Sequence, residues 1–219
     1  MSAERFVQGL VDELEELFAR LGEEEILEAE SEGQKDVVTL LRLALKSELE
    51  AAELAGSWMP QTAEMDGKML FALQCGDEMK HYRLIADRLK ELGHDPESPD
   101  PAAEGYSPLY HYLKGLHTTI ERAAAGPFTC EAIARVRNRQ FIAFCRSVGD
   151  EETARLYEDV IQPEEVHHHE EGRRFLERHA TTPEAQEAAA AAVRTTLAIA
   201  DELKSLAEKS SGLETLPVS

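Results

Sequence analysis

Two segments of the chain, Glu78-Met79-Lys80-His81 and Glu165-Val166-His167-His168, set a carboxylate and an imidazole three residues apart. On a helix that spacing stacks both side chains on one face. Oxygen and nitrogen donors so placed can hold a divalent cation. One such pair alone carries little weight, because 43 Asp and Glu and 8 His make chance pairs common. The neighbours of each pair raise the signal. Glu78 and His81 share a face with Phe71, Gln74, Cys75, Tyr82, Ile85 and Leu89, which is mostly apolar and therefore inward. In the second segment two registers compete. The Glu165/His168 face continues through Ala154, Tyr157, Ile161, Gly172 and Phe175, whereas the Glu164/His167 face adds Glu171 and Arg174. Glu165 with His168 is the inward register, and His167 and His169 flank it by about 100° on either side.

The same test finds two lone acids on inward stripes. Glu48 interrupts Leu41, Leu45, Ala52, Ala55 and Met59, and Glu131 lies in line with Phe128, Ala134, Ile142 and Cys145. Glu50 and Glu53 share faces with Lys46, Ser47 and Ser57, so solvation is their expected role. Asn138 is a polar exception on the Glu131 stripe without an assigned role. Four buried carboxylates and two buried imidazoles need compensation, since an unpaired buried carboxylate costs several kcal/mol. Two divalent cations bridged by carboxylates, each with one imidazole, would supply it. The oxygen and nitrogen donors favour iron or manganese over tetrahedral zinc, and imidazole disfavours calcium.

These residues need long helices to position them. Apolar residues recur every three or four positions with no strict alternation, so an all-α chain is expected. Glycine and proline mark the breaks. They give an acidic N-terminal helix over about 3–30 ended by Ser31-Glu32-Gly33, helix A from Lys35 to Met59 stopped by Pro60, and helix B from Ala63 to Leu92 capped by Gly93. His94 to Pro108 is the longest loop, and a short connecting helix covers about Leu109 to Ala123. Gly126-Pro127 is expected to open helix C, which runs to Val148. Helix D spans Glu151 to His179, with Pro163 expected to kink it near the site. A last helix follows Thr181-Thr182-Pro183 over about 183–209, with alanines 188–192 as filler and a frayed tail from Ser210 to Ser219. Two hairpins joined by a longer connection describe a four-helix bundle with a crossover, plus extra N- and C-terminal helices, in a single domain over 1–219.

Composition sets outer limits. With 42% hydrophobic and 30% charged residues the chain is that of a folded protein. Against 43 acids stand 23 Lys and Arg, a formal charge of −20, which argues against affinity for nucleic acid or an anionic membrane surface. Three separated cysteines fit a reducing cytoplasm. The N-terminal segment resembles neither a signal nor a transit peptide, and no apolar run approaches the ~18 residues of a membrane span.

The constellation Glu48, Glu78 with His81, Glu131, and Glu165 with His168 resembles that of the ferritin-like di-iron carboxylate proteins: one Glu from each of two helices and Glu-x-x-His from each of the other two. The resemblance covers about residues 35–180. It implies two iron ions, with manganese as the other metal admitted. That family often sets an acid before each motif glutamate, and Asp77 and Glu164 stand there. By resemblance Asp77 would orient His168 and Glu164 would orient His81. Tyr157 is either a donor or redox-active phenol beside the metals or a core tyrosine with a satisfied hydroxyl, and Cys75 is a cavity-lining thiol or a small core hydrophobe. His111 and His117 lack the pattern and are expected on the surface.

The pattern looks closest to the oxygenase and oxidase branch of the family. That implies O₂ activation to oxidise or hydroxylate a small organic substrate, an electron-donor protein, and a homodimer. Within that branch the acidity disfavours a tRNA substrate, and the lack of a CxxC pair disfavours a self-contained rubrerythrin. The alternative is a ferroxidase, iron-handling or peroxide-detoxifying protein. A structural bundle without metal would require six coincidences on four inward faces.

Overall fold

A computed structural model describes residues 1–21, 36–103 and 105–213, with side chains described up to residue 19 in the first segment and up to residue 200 in the last. Helix α1 (Ala3–Leu21) covers the start of the expected acidic helix; residues 22–33 of that expectation lie outside the described residues. Helix α2 (Val37–Trp58) begins where Asp36 accepts from the backbone N–H of Thr39 at 3.0 Å, and it tightens into a 3₁₀ turn, Met59–Gln61, at Pro60. That turn swings Met59 off the inward stripe to 38% exposure, contrary to expectation. Helix α3 (Met65–Glu91) ends at Gly93, whose φ of 84° is the left-handed conformation anticipated for the cap. Helix α4 (Pro108–Lys114) is short, with Ser107 at its cap and proline in its first turn.

Helix α5 (119–147) corrects the expected boundaries. It starts at Thr119, with a reciprocal Thr118–Glu121 capping box, rather than at Gly126-Pro127. The connecting helix therefore ends at Lys114, and residues 119–123 are the first turn of α5. Gly126 and Pro127 fall inside a π-helical stretch, Ala124–Cys130. Proline lacks an N–H and its ring collides with the carbonyl four residues back in a regular helix. The wider turn relieves that collision, and side chains satisfy freed carbonyls. The Thr129 hydroxyl donates to Ala124 O at 2.7 Å, and His169 Nδ1 donates to Phe128 O at 2.7 Å.

Helix α6 (151–179) is capped by Asp150, which accepts from the Thr153 N–H at 3.0 Å. It also holds a π-helical stretch, Tyr157–Ile161, closed by the Gln162 N–H bonding to Tyr157 O. Pro163 follows directly, so the break expected there is absorbed by a widened turn. Helix α7 (Pro183–Leu213) runs past the expected end, and residues 214–219 of the expected tail lie outside the described residues. Its alanines are more than filler: Ala189 and Ala192 are buried in the core, where small side chains let α7 approach the bundle.

No strand occurs among the described residues. The core of the described residues falls into two apolar clusters. One joins the start of α3 and the ends of α2 and α6 with the π turn of α5, and α1, α4 and α7 complete it through Val7, Leu10, Tyr110, Leu113 and Val193. The other joins Leu41 and Leu45 of α2, Ile85 and Leu89 of α3, Phe141 and Ile142 of α5, and Ala154, Tyr157 and Ile161 of α6. Helices α2 and α6 therefore run from the second cluster to the first, and α3 and α5 run the other way. Parallel α3 and α5 require the crossover that α4 and its flanking loops supply. No helix among the described residues is long and apolar enough to cross a membrane.

Candidate metal centre

Between the two apolar clusters lies a polar layer. Glu48, Glu78, Glu131 and Glu165 are each at most 5% exposed, and His81 and His168 at most 1%. The register chosen on α6 is the buried one, since the Glu164 side chain is 30% exposed and His167 faces solvent. The structure brings all six residues together as two overlapping quartets. Glu48, Glu78, His81 and Glu165 form one, and Glu78, Glu131, Glu165 and His168 the other; within each, four donor atoms lie within 4.8 Å of one another.

Glu78 and Glu165 belong to both quartets, and each turns one oxygen toward each imidazole. Glu78 Oε2 is 3.1 Å from His81 Nδ1 while its Oε1 is 3.3 Å from His168 Nδ1. Glu165 Oε1 is 3.8 Å from His81 Nδ1 while its Oε2 is 3.5 Å from His168 Nδ1. Two carboxylates so turned are disposed to bridge a pair of cations. Glu48 closes one end at 3.4 Å from His81 Nδ1, and Glu131 closes the other.

Each imidazole presents Nδ1 inward and meets an acid at Nε2. His81 Nε2 lies 2.8 Å from Glu164 Oε2, and His168 Nε2 lies 3.2 Å from Asp77 Oδ2. These are the two acids expected from the residues before each motif. Sequence reasoning missed Lys80, whose ammonium reaches both, at 2.5 Å from Glu164 Oε1 and 3.4 Å from Asp77 Oδ1. Its place between the two motif residues was the available signal. Also missed was His169, expected to flank the site. It is buried, stacks on Phe128 at 5.0 Å between ring centroids and holds the π turn of α5.

Charge is arranged as burial dictates. Burial pushes the Glu48 carboxyl up to about 8, with His81 pulling it down and Glu78 and Glu165 pushing further up. Burial and the same crowding by Glu165 and Glu78 hold Glu131 well above the carboxylate range. Burial also opposes ionisation of Glu78, but the His168 and His81 rings on either side outweigh it and keep its pKa low. Burial disfavours charge on the imidazoles too, yet the surrounding carboxylates raise His81 to about 12 and His168 to about 10. Protons on the rings and the end carboxyls thus do the compensating work that divalent cations would do. Three buried site atoms have no hydrogen-bond partner: Glu78 Oε1, Glu165 Oε2 and His168 Nδ1. Once the protons on the rings and end carboxyls leave, the oxygen and imidazole donors fit divalent iron or manganese.

The remaining expectations divide. Tyr157 is 1% exposed and packs edge-on against Phe141, but its hydroxyl has no partner, so the satisfied core tyrosine is corrected. Burial, then the nearby Glu48 charge, raises that phenol well above its usual range. Glu50 and Glu53 are not merely solvated: Glu50 accepts from the Ser107 N–H at 2.8 Å and Glu53 from the Tyr106 hydroxyl at 2.7 Å, tying the crossover to α2. Cys75 is half-buried against Gly56, and His111 and His117 are exposed as expected. Asn138 is buried with Nδ2 unpartnered, which nothing in the structure explains.

Comparison with known proteins gives one relationship of weight. A bacterioferritin of Desulfovibrio desulfuricans is 32% identical to the chain over 91 residues, 42% of this chain and 45% of that protein. The fold is a ferritin-like helical bundle. The match supports the ferritin-like superfamily, although the chain spans less than half the length of that relative. No family model matches the chain, and no solved structure matches it. The ferritin-like reading agrees with the paired hairpins, the crossover and the polar layer between two apolar clusters.

Proposed function

We propose that the buried layer is a di-iron centre and that the protein handles iron, oxidising ferrous ions there. The observation that carries this reading is the pair of quartets sharing Glu78 and Glu165. The likeness to a bacterioferritin favours iron as substrate over oxidation of a small organic molecule, the reading to which the motif pattern alone leaned. In the reaction two ferrous ions each give up one electron. One dioxygen takes both electrons with two protons, leaving hydrogen peroxide and two ferric ions; peroxide in place of dioxygen would give water.

In this reading the chain's own groups do four things. Glu78 and Glu165, common to both quartets, would hold both ions, Glu48 and Glu131 would each hold one, and His81 and His168 would each supply one nitrogen. Asp77 and Glu164 fix the rings so that Nδ1 faces inward. The apolar clusters on either side exclude bulk water. The protons held by the end carboxyls and rings leave as cations enter, so uptake is coupled to proton release.

Metal analysis and oxygen uptake test the proposal. Anaerobic addition of ferrous iron is expected to load two ions per chain. Admission of air should then consume one dioxygen per two irons, far faster than iron oxidises in buffer. Loading below half an ion per chain, or oxidation no faster than in buffer, overturns it. Iron-dependent oxidation of an added organic substrate, sustained only with a reductant or electron-donor protein, would instead establish the oxygenase reading.

A further inference from the structure

We propose that Gln74 is a positioning residue that makes the two metal positions unequal, so that the Glu78–Glu131–Glu165–His168 position takes up a divalent cation first. The proposal rests on the di-metal reading and adds an order to it. Gln74 lies on α3 one turn before Glu78, is 3% exposed, and donates from Nε2 to Glu131 Oε1 at 2.6 Å. Its own Oε1 is buried without a partner, so this one bond sets the amide's orientation. An amide is neutral. It fixes the plane of the Glu131 carboxyl from the other hairpin and, carrying no charge, adds no repulsion to an incoming cation.

Nothing comparable among the described residues holds Glu48. Among the described residues its polar contacts are with His81 and Glu78, themselves members of the site. The residue one turn before Glu165 on α6, where a second amide would stand, is the apolar Ile161. The partnerless atoms sort the same way. Glu78 Oε1 and Glu165 Oε2 are the oxygens turned toward His168, and with His168 Nδ1 they face the Glu131 position. In the Glu48 quartet Glu78 Oε2 and His81 Nδ1 are bonded to each other at 3.1 Å. A cation entering beside Glu131 meets Glu78 Oε1 and His168 Nδ1 at a looser 3.3 Å, whereas one entering beside Glu48 must displace the 3.1 Å bond between Glu78 and His81. Preorganised donors bind more tightly because less ordering remains to be done on binding.

Titration of the metal-free full chain with Co²⁺, followed by visible absorption and calorimetry, tests the order. The wild type is expected to bind two ions in two steps at least tenfold apart. Gln74→Leu should weaken the first step about 10- to 100-fold, shift the absorption bands of the first ion bound, and leave the second step within threefold. General loosening of the bundle would instead weaken both steps together. Glu48→Ala should keep the tight step and lose the weak one, and Glu131→Ala should do the reverse, which assigns the order even if Gln74→Leu folds poorly. Two equal steps in the wild type, or a tight step surviving in Glu131→Ala, overturns the inference and leaves the di-metal reading standing. Failure of the wild type to bind Co²⁺ at all overturns both.

Discussion

The α2–α3 and α5–α6 hairpins deliver the same set of donors, two glutamates and a histidine each, by different routes. Helices α2 and α3 are α-helical throughout their spans, and Glu48, Glu78 and His81 follow from the ordinary 3.6-residue period. Helices α5 and α6 each contain a π turn within a few residues of Glu131 or Glu165. An extra residue in a turn shifts the phase of everything beyond it. Tyr157 and Glu165 would stand about 80° apart in an unbroken α-helix, but the inserted residue leaves them about 20° apart. One hairpin is thus a regular frame, and the other is adjusted locally to meet it.

The largest effect that would test this comparison is on metal content. Glu165→Ala removes a donor from both quartets and should take iron from two per chain to near zero. Glu164→Ala, which only loosens His81, should weaken loading about 10- to 100-fold. The reverse ranking would show that the wrong face of α6 had been taken as the inner one.

Next in size is the packing of the adjusted hairpin. A Cβ on Gly172 of α6 would lie 2.8 Å from Phe128 N and 2.9 Å from Pro127 C, both backbone atoms of the π turn. Gly172→Ala should therefore destabilise by about 2 kcal/mol in chemical denaturation. Gly76, on the regular hairpin, has nothing within 4 Å of its Cβ position. Gly76→Ala should stabilise by about 0.5–1 kcal/mol. Equal losses at both sites would erase the distinction between the hairpins.

His169→Phe keeps a ring against Phe128 but leaves the Phe128 carbonyl unbonded. A loss of about 1–3 kcal/mol is expected, read as a lower denaturation midpoint; no loss would mean that the π turn needs no side-chain support.

The smallest effect is at the far end of the same hairpin. Burial opposes the charge on Asp150, but hydrogen bonds from Thr153 and the Arg88 guanidinium outweigh it and lower its pKa. A carboxyl lowered on folding contributes stability above its unfolded pKa of about 3.9, and that contribution fades as pH falls through the folded value. Asp150→Asn should lower stability at neutral pH and flatten the loss of stability below about pH 4. A steeper acid profile in the variant would reverse the assigned sign.

What was legible in the sequence follows the same division. The acids Asp77 and Glu164 come from the family resemblance, whereas the inward stripes on α2 and α3 and the Glu165 register are read from periodicity, because a buried face must repeat. The π turns are not, since they move hydrogen bonds by one residue without changing which residues are apolar. Pro127 was taken for a helix start because proline favours the first turn, and only the packing of Gly172 and His169 against that backbone explains its interior place. Glu50, Glu53 and Lys80 escaped for a related reason. Ser107, Tyr106 and Glu164, the partners that give them these roles, lie 53 to 84 residues away in sequence, where local spacing carries no information.

Lys80 also has an electronic consequence. Its ammonium sits between the two acids that back the imidazoles, so a pair of carboxylates shares one positive charge and the outer layer carries a single net negative charge. Neither ring is backed by a full counter-ion. Each imidazole is thereby a weaker electron donor than one paired with an isolated carboxylate, and because the ammonium is common to both, a change in its charge or position would alter the donor strength of the two rings together.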